Sequence, residues 1–214
     1  IFGSRGLGDV YKRQVEDILD ESQRKAAELL TANNFYSLYV ENKGNGEFTF
    51  SKLPIEMQIS TVFGMVIRDF NGDGNLDILS HGNFYHTEVE TNRQDASIGQ
   101  FLLGDGAGKF KAMSVLKSGF YSPFDSKALA TIMVSNEPVV LAANTDNKML
   151  AFRKNEKQKG ELIAFAANDA YALVHFADGR VCKFENYTGS SYLSQNSSAC
   201  LLYTSDAADD QASV

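Results

Sequence analysis

The chain has 214 residues, a formal net charge of −7 and 43% hydrophobic residues. This acidic balance argues against nucleic-acid binding by charge alone. No apolar run approaches the roughly 18 residues that a membrane-spanning helix needs, so the sequence predicts no membrane span.

The two ends of the chain resemble translated DNA adapters. The segments DVYKRQ (residues 9–14) and CLLYTS (residues 200–205) can be back-translated into sequences that are reverse complements apart from the outermost bases. Unrelated protein segments have no reason to show this relation, and the alternative is a coincidence of codon choice. Both segments resemble in-frame translations of transposon-end adapters used in DNA library preparation. We therefore interpret residues 1–14 and 200–214 as adapter-derived.

The remaining part, residues 15–199, is predicted to be an internal fragment of a longer protein. Its net charge is −6, because the excluded head carries +2 and the excluded tail −3. Of the two cysteines only Cys182 is left, and one cysteine cannot form an internal disulfide. Near its start, residues 17–30 have helical propensity and predict a short helix or an irregular connector.

Two stretches of the sequence share a hairpin pattern. Residues 38–50 (LYVENKGNGEFTF) resemble residues 101–111 (FLLGDGAGKFK). In both, an apolar strand enters a turn rich in Gly, Asn or Asp and leaves through Gly, a charged residue and Phe. Tight turns need φ > 0, so both stretches predict β-hairpins. The second is glycine-rich, but no helix follows it, so it does not predict a phosphate site.

The nine residues 69–77 (DFNGDGNLD) predict a cation-binding loop. Side-chain oxygens recur along it at odd offsets, in Asp69, Asn71, Asp73 and Asp77. Calcium takes six to eight oxygen ligands, and Gly72 and Gly74 permit the tight curl that such a site needs. Asn75 would add a backbone carbonyl. The alternative is an acidic turn that satisfies its own backbone. We favour calcium, because carboxylates packed closely without a cation repel each other.

The context of this loop predicts a structural calcium clip rather than a calcium sensor. The loop joins two predicted strands, residues 62–67 and 76–79. An EF-hand loop ends in a bidentate Glu at position twelve, and Ser80 stands there in this sequence.

A period of about sixty residues runs through the chain. Residues 128–134 and 139–143 parallel the apolar runs on either side of the cation loop, with SNEP (135–138) where the loop stood. About four short strands per unit predict propeller blades, which must stack to bury their faces. We expect the end of one blade, a full blade over 58–115 and another over 119–153.

A small β module is predicted at the C-terminal end. After the polar linker 154–159, three segments have the pattern of strands: 162–167, 171–176 and 180–187. A tight turn at 177–179 joins the last two, and residues 188–198 are rich in Ser and Gly.

Three stretches resemble the VCBS/FG-GAP repeat proteins that end in an ASPIC/UnbV-type domain. The first is the 69–77 loop after Val62-Phe-Gly64, and the second is Gly82-Asn-Phe-Tyr85 with Glu88, Arg93, Asp95-Ala-Ser97 and the turn ending at Gly106. The third runs from Asp178 through Tyr187 to Gln195 and resembles the Gly-Tyr-Leu-Ser-Gln-Ser close of that domain. Ser190 and Ser191 before Tyr192, and Asn196 where Ser is common, depart from the pattern.

The resemblance implies an all-β fold: a partial β-propeller over 15–155, similar to the integrin α-subunit head, and an ASPIC/UnbV-like domain over 160–199. It implies a calcium-stabilised module for binding or adhesion, without enzymatic activity, located outside the cytoplasm as a secreted, periplasmic or cell-surface protein. The partner would be a protein or glycan, with no nucleic acid, and the chain would be peripheral or anchored rather than spanning. The alternative is an accessory region of an extracellular carbohydrate-active or other hydrolytic enzyme whose catalytic part lies elsewhere.

Other candidate sites favour structural interpretations. His81, His86 and Glu88 match no standard zinc spacing, and His175 fits an alternating strand. The charged residues Glu88, Arg93 and Asp95 suggest a loop-bracing ion pair or a ligand site. A set of aromatic residues could stack on sugars but is more simply explained as packing between blades: Phe84, Tyr85, Phe120, Tyr121 and Phe124. No catalytic motif and no organic cofactor site is present in the sequence.

Overall fold

The structure is a computed structural model that describes residues 14–155, 160–166, 168–175, 179, 181–203 and 211–213. The chain divides into two compact units, Ile1–Phe35 and Tyr36–Val214. In the described residues, secondary structure is mainly β, in several small antiparallel sheets, which confirms the all-β fold class.

The described part of the first unit contains one short helix, α1 (Glu21–Ala26), after a 3-10 turn at Val15–Asp17. The Asp20 carboxylate caps α1 by accepting a hydrogen bond from the Gln23 N–H, and the side-chain oxygen of Gln23 accepts one from the Asp20 N–H. Such a reciprocal cap satisfies two of the unpaired donors at a helix start. Neither element has a buried residue. Of the two alternatives predicted for residues 17–30, a short helix or an irregular connector, the structure shows a short helix over Glu21–Ala26.

The second unit begins with the predicted hairpin, β1 (Leu38–Gly44) and β2 (Glu47–Lys52). Its turn at Gly44, Asn45 and Gly46 has φ values of 87°, 54° and 81°, as tight hairpin turns require. Tyr39 on one face packs against Phe110 at 5.5 Å between ring centroids. The hairpin therefore contacts the next sheet through that face.

A four-stranded antiparallel meander follows, in the order β3 (Gly64–Arg68), β4 (Asp77–His81), β5 (Gln100–Gly104) and β6 (Phe110–Met113). Every residue of β4 is buried, as expected for a strand with neighbours on both sides. Both predicted strands around the 69–77 loop are present, with their starts displaced by one or two residues. A short helix, α2 (Val115–Ser118), leads to the next sheet and ends at Gly119 with φ of 70°.

The next sheet has three antiparallel strands, β7 (Ser126–Val134), β8 (Glu137–Asn144) and β9 (Leu150–Phe152). Where the four-stranded sheet has the long 69–77 loop between β3 and β4, β7 and β8 are joined by a tight turn. Its two residues, Ser135 and Asn136, have φ of 52° and 64°. A two-residue turn with φ > 0 at both positions matches the twist of a hairpin. The 69–77 loop thus has no counterpart of similar length here.

The four-stranded sheet carries an apolar cluster on each side. One cluster joins it to β7 and β8 through buried residues that include Val66, Leu79, Leu129 and Ala142. The other contains Met57, Ile78 and Leu102 and is completed by partly buried residues of 53–62 and of β6. Alternate side chains of a strand face opposite sides of a sheet, and Ile78 and Leu79 of β4 serve one cluster each. The sheet is therefore a layer within the core.

The remaining strands are β10 (Gly160–Ala164), β11 (Tyr171–His175), β12 (Val181–Glu185), β13 (Ala199–Tyr203) and β14 (Gln211–Ser213). The predicted pairing of β11 with β12 is present, while the turn residues 177 and 178 lie outside the described residues. β13 pairs with β10, and β14 pairs with β11. Strands within the adapter-like tail thus complete both sheets, and the adapter origin of 200–214 stays a prediction.

No helix in the described part of the chain is long and apolar enough to cross a membrane.

Candidate metal centre

The 69–77 loop leaves β3 and returns into β4 through six consecutive bends, at residues 70–75. Gly72 and Gly74 have φ of 84° and 85°, the left-handed region that favours glycine. The tight curl predicted from these two glycines is therefore present. Residues 71–74 are exposed, so the tip of the loop is open to solvent.

Three side chains of the loop bind its own backbone. Asp69 accepts hydrogen bonds from the N–H groups of Gly72 at 2.6 Å and Gly74 at 2.8 Å. Asn71 Oδ1 accepts from the Asp73 N–H at 3.0 Å, and Asp73 accepts from the Asn75 N–H at 2.8 Å. The Asn71 amide also donates to Asp73 at 2.8 Å. This is the hydrogen-bond pattern of the acidic-turn alternative, and it holds the oxygens within one loop.

Asp77 differs from Asp69 and Asp73, the other acidic residues of the loop, because its side chain is fully buried. One carboxylate oxygen accepts the Phe70 N–H at 2.9 Å, and the other accepts the Gly104 N–H at 3.0 Å. Asp77 therefore ties the start of the loop to the end of β5. Each oxygen is already committed to a backbone donor on a different element.

The pKa values of Asp77 and Asp73 are shifted in opposite directions. Burial raises the pKa of Asp77, hydrogen bonds from Gly104 and Phe70 oppose that shift, and repulsion from Asp73 and Asp69 adds to it. For Asp73, burial is the largest single influence and raises the pKa. The hydrogen bonds from Asn71 and Asn75 together outweigh it, so the pKa is lowered. Asp73 thus stays ionised beside a carboxylate that its charge repels, an arrangement that a cation would stabilise.

The structure tests the fit of calcium to this loop in part. The donor set is hard and anionic, as calcium prefers, and the side chain of Asn75 lies against Gly106 in the neighbouring turn. Within the described residues, however, no three His, Cys, Asp or Glu side chains are placed to hold a metal ion together. Calcium binding by Asp69, Asn71, Asp73, Asn75 and Asp77 therefore stays a proposal.

The histidines have separate partners. His81 is fully buried, and its Nδ1 lies 3.3 Å from Ser122 Oγ. Burial lowers the pKa of His81 to about 4, against a smaller opposing contribution from the Ala128 backbone. His86 is mostly exposed and lies 3.2 Å from Asp125 and 3.9 Å from Asp146. The side chain of His175 is exposed on β11.

A buried polar network that the sequence did not indicate lies between the two main sheets. Asn83 is fully buried, donates to the carbonyls of Ser97 at 2.9 Å and Phe124 at 3.0 Å, and accepts the Ser97 N–H at 3.0 Å. Lys127 donates to the Asn83 carbonyl at 3.0 Å and lies 2.5 Å from buried Asp125. The only sequence signal was the asparagine of the Gly82-Asn-Phe-Tyr85 motif. Its contacts lie 14 to 44 residues away in the chain, beyond the reach of local patterns.

The five aromatic residues singled out in the sequence have different surroundings in the structure. Phe120 is buried and packs edge-on against Phe152, with 4.6 Å between the ring centroids. It therefore has a packing role, and packing between blades stays a prediction. Phe84 lies beneath the Lys127 ammonium at 4.8 Å, and Tyr85 donates its hydroxyl to the Pro123 carbonyl at 2.9 Å. Tyr121 is half exposed, and Phe124 is partly buried.

The charged loop forms the predicted ion pair between Arg93 and Asp95, at 2.7 Å and largely exposed. Such an exposed pair contributes about 0–1 kcal/mol at most. Glu88 lies in an exposed turn, where its carbonyl accepts the Thr91 N–H. The loop-bracing interpretation fits these contacts.

No protein-family model, curated protein or solved structure matches this chain.

Proposed function

We propose that this chain is part of a calcium-stabilised β-propeller with a small C-terminal β module. It serves as a non-catalytic binding or adhesion module outside the cytoplasm. The observation that carries the proposal is the four-stranded meander β3–β6 with an apolar cluster on each face. A propeller blade needs both faces covered by neighbouring blades, because one blade cannot bury them alone.

The flanking elements support a blade arrangement. The sheet β7–β9 covers one face of the meander, and Tyr39 of the preceding hairpin contacts its last strand. The hairpin β1–β2 resembles β5–β6 in sequence, as repeated blades would. On its outward face, Val40, Phe48 and Phe50 are 48%, 51% and 65% exposed. An adjoining apolar face of this kind is one that a further sheet would cover.

The loop chemistry supports calcium as the stabilising ion. Asn71 and Asp73 are exposed on one tight curl, and Asp69 lies partly buried beside them. The repulsion that Asp73 and Asp69 exert on Asp77 favours a cation. The ion would be structural, since it would fix the connection between β3 and β4. Binding to the folded form alone stabilises it by about 2.7 kcal/mol at a hundredfold excess over Kd.

The calcium site is tested by thermal unfolding of the whole chain after treatment with a chelator. Calcium at a hundredfold excess over Kd should raise the melting temperature by about 5–10 °C. Asp73→Ala should remove this shift. Asp105→Ala is the matched control, because Asp105 caps the exposed β5–β6 turn through the Ala107 and Lys109 N–H groups, outside the 69–77 loop.

Two outcomes would count against the site: no shift in the unmutated chain, or an equal shift in Asp73→Ala. The binding role is tested separately on a glycan array, with calcium-loaded and chelated protein. We expect calcium-dependent binding, and an array without signal in both states would exclude its glycans as ligands.

A further inference from the structure

The outward edge of β7 is covered at Thr131 by a distant loop. Thr131 lies opposite Val140 of β8 on one side of the strand. On the other side its N–H donates to Asn196 Oδ1 at 2.7 Å, and its carbonyl accepts the Ser197 N–H at 2.8 Å. Both backbone groups that would face another strand are therefore occupied, one of them by a side-chain amide.

The covering loop, residues 187–198, is held in shape by its own hydrogen bonds. Asn196 donates its N–H to Ser190 Oγ at 3.1 Å, and Gln195 Nε2 donates to the Tyr187 carbonyl at 2.6 Å. Gln195 Oε1 also accepts the Gly189 N–H. The side chain of Asn196 is thus positioned before it meets β7, which reduces the entropy cost of docking.

The same loop has a second attachment point. Ser191 Oγ donates to the Phe63 carbonyl at 3.2 Å, directly before β3. Thr131 is 7% exposed beneath the loop. One segment therefore shields Thr131 of β7 and also contacts the residue that precedes β3.

A strand edge left uncovered offers its N–H and C=O groups to another chain. Thr131 has both groups directed outward, so two copies related by a two-fold axis at this residue could exchange N–H···O=C bonds as an antiparallel pair. Toward the start of β7 the edge is closed, since a Cβ on Gly64 of β3 would lie 2.6 Å from the Leu129 nitrogen. The accessible stretch would be residues 131–134.

We propose that residues 187–198 form an edge clasp that closes a strand-addition site on β7. When the clasp is released, β7 of a second copy pairs with this edge around Thr131. Asn196 is the main contact of the clasp, because its Oδ1 replaces the backbone carbonyl of a partner strand.

The test compares full-length variants by residue-resolved amide hydrogen exchange. Asn196→Ala should accelerate exchange of the Thr131 amide by about five- to tenfold, the effect of losing one hydrogen bond. Asn196→Asp keeps an acceptor oxygen and should stay within about twofold of the unmutated chain. Asn147→Ala is the control, since Asn147 makes only a local bond to Lys148 in an exposed turn.

Light scattering over a concentration series measures whether two copies of the chain associate when the clasp is released. The average mass of Asn196→Ala should rise with concentration, while the masses of Asn196→Asp and Asn147→Ala follow the unmutated chain. Unchanged Thr131 exchange in folded Asn196→Ala would overturn the clasp. Faster exchange without any gain in mass would overturn the strand-addition site.

If Asn196→Ala does not fold, Ser191→Ala replaces it. This variant removes only the side-chain bond to the Phe63 carbonyl. It should accelerate Thr131 exchange by a smaller factor, and unchanged exchange would again overturn the clasp.

Discussion

His81 illustrates how one residue can change its chemistry through burial. The imidazole is fully enclosed beside Ser122, and its Nε2 has no hydrogen-bond partner in the described part of the chain. A Cβ on Gly64 would lie 2.6 Å from that nitrogen, which shows how tightly β3 covers the ring. Burial in such surroundings disfavours the charged form of histidine, so His81 is neutral in the folded chain at neutral pH.

The resulting pH dependence has a definite sign. The pKa of His81 is about 4 in the folded chain and about 6.5 when unfolded. The unfolded chain therefore binds the proton more readily. The contribution of neutral His81 to the free energy of unfolding is complete above pH 6.5 and is lost as the pH falls toward 4. The loss from this residue is about 3 kcal/mol in the free energy of unfolding.

Urea unfolding of the unmutated chain and of His81→Gln at pH 7 and pH 4 measures this effect. The loss between the two pH values should be smaller by about 3 kcal/mol in His81→Gln. His86→Gln is the control, because the His86 side chain is 65% exposed. An equal loss in His81→Gln and the unmutated chain would contradict the assignment.

At the scale of elements, the 69–77 loop is joined to the rest of the sheet by Asp77. Its two oxygens accept backbone N–H groups from the loop and from the end of β5, while Asp69 and Asp73 bind only within the loop. The same sequence motif therefore contains two kinds of carboxylate. One kind accepts N–H groups of the loop itself, and the other holds the loop and β5 together.

Asp77→Asn should destabilise the chain even with a chelator present. The substitution replaces one acceptor oxygen of the buried side chain by an NH₂ group that faces a partly buried backbone N–H. Such an unpaired donor costs about 1–3 kcal/mol. Asp73→Asn should change the free energy of unfolding by no more than about 0.5 kcal/mol under the same conditions, because Asp73 is exposed. Denaturant titration in chelator measures both, and similar losses in the two variants would refute the distinction.

At the scale of the whole molecule, the meander and its neighbours share two apolar clusters. Their buried residues all come from the part of the sequence between Met57 and Ala142. The described strands of the adapter-like tail, β13 and β14, pair with β10 and β11 instead. The described strands of the tail therefore belong to the C-terminal sheets.

If the ends are adapter-derived, a chain cut to residues 15–199 should keep the main cooperative transition. We expect its melting temperature to change by less than about 4 °C, which corresponds to about 1 kcal/mol for a chain of this size. A chain cut to 15–186 is the comparison, because it also lacks the edge clasp and should lose more. Calorimetry measures both transitions, and loss of the transition in 15–199 would show that the tail is integral to the fold.

Local features of the structure could be predicted from the sequence. The hairpin around Asn45, the curl at Gly72 and Gly74 and the strand pair around the loop all follow from residues a few positions apart. Turn chemistry is local, since φ > 0 selects Gly and Asn wherever the chain must reverse tightly. The packing role of Phe120 was also foreseen, although its partner Phe152 was not.

The sequence by itself determined the all-β class, the turns and the acidic loop, because these depend on alternation and on glycine and asparagine at fixed positions. Only the tertiary structure decided which carboxylate is buried, which histidine is neutral and where Asn83 and Asn196 find their partners. Those properties depend on desolvation and on hydrogen bonds between residues tens of positions apart. The packing of β3, β5 and β7 around them creates environments that no local pattern encodes.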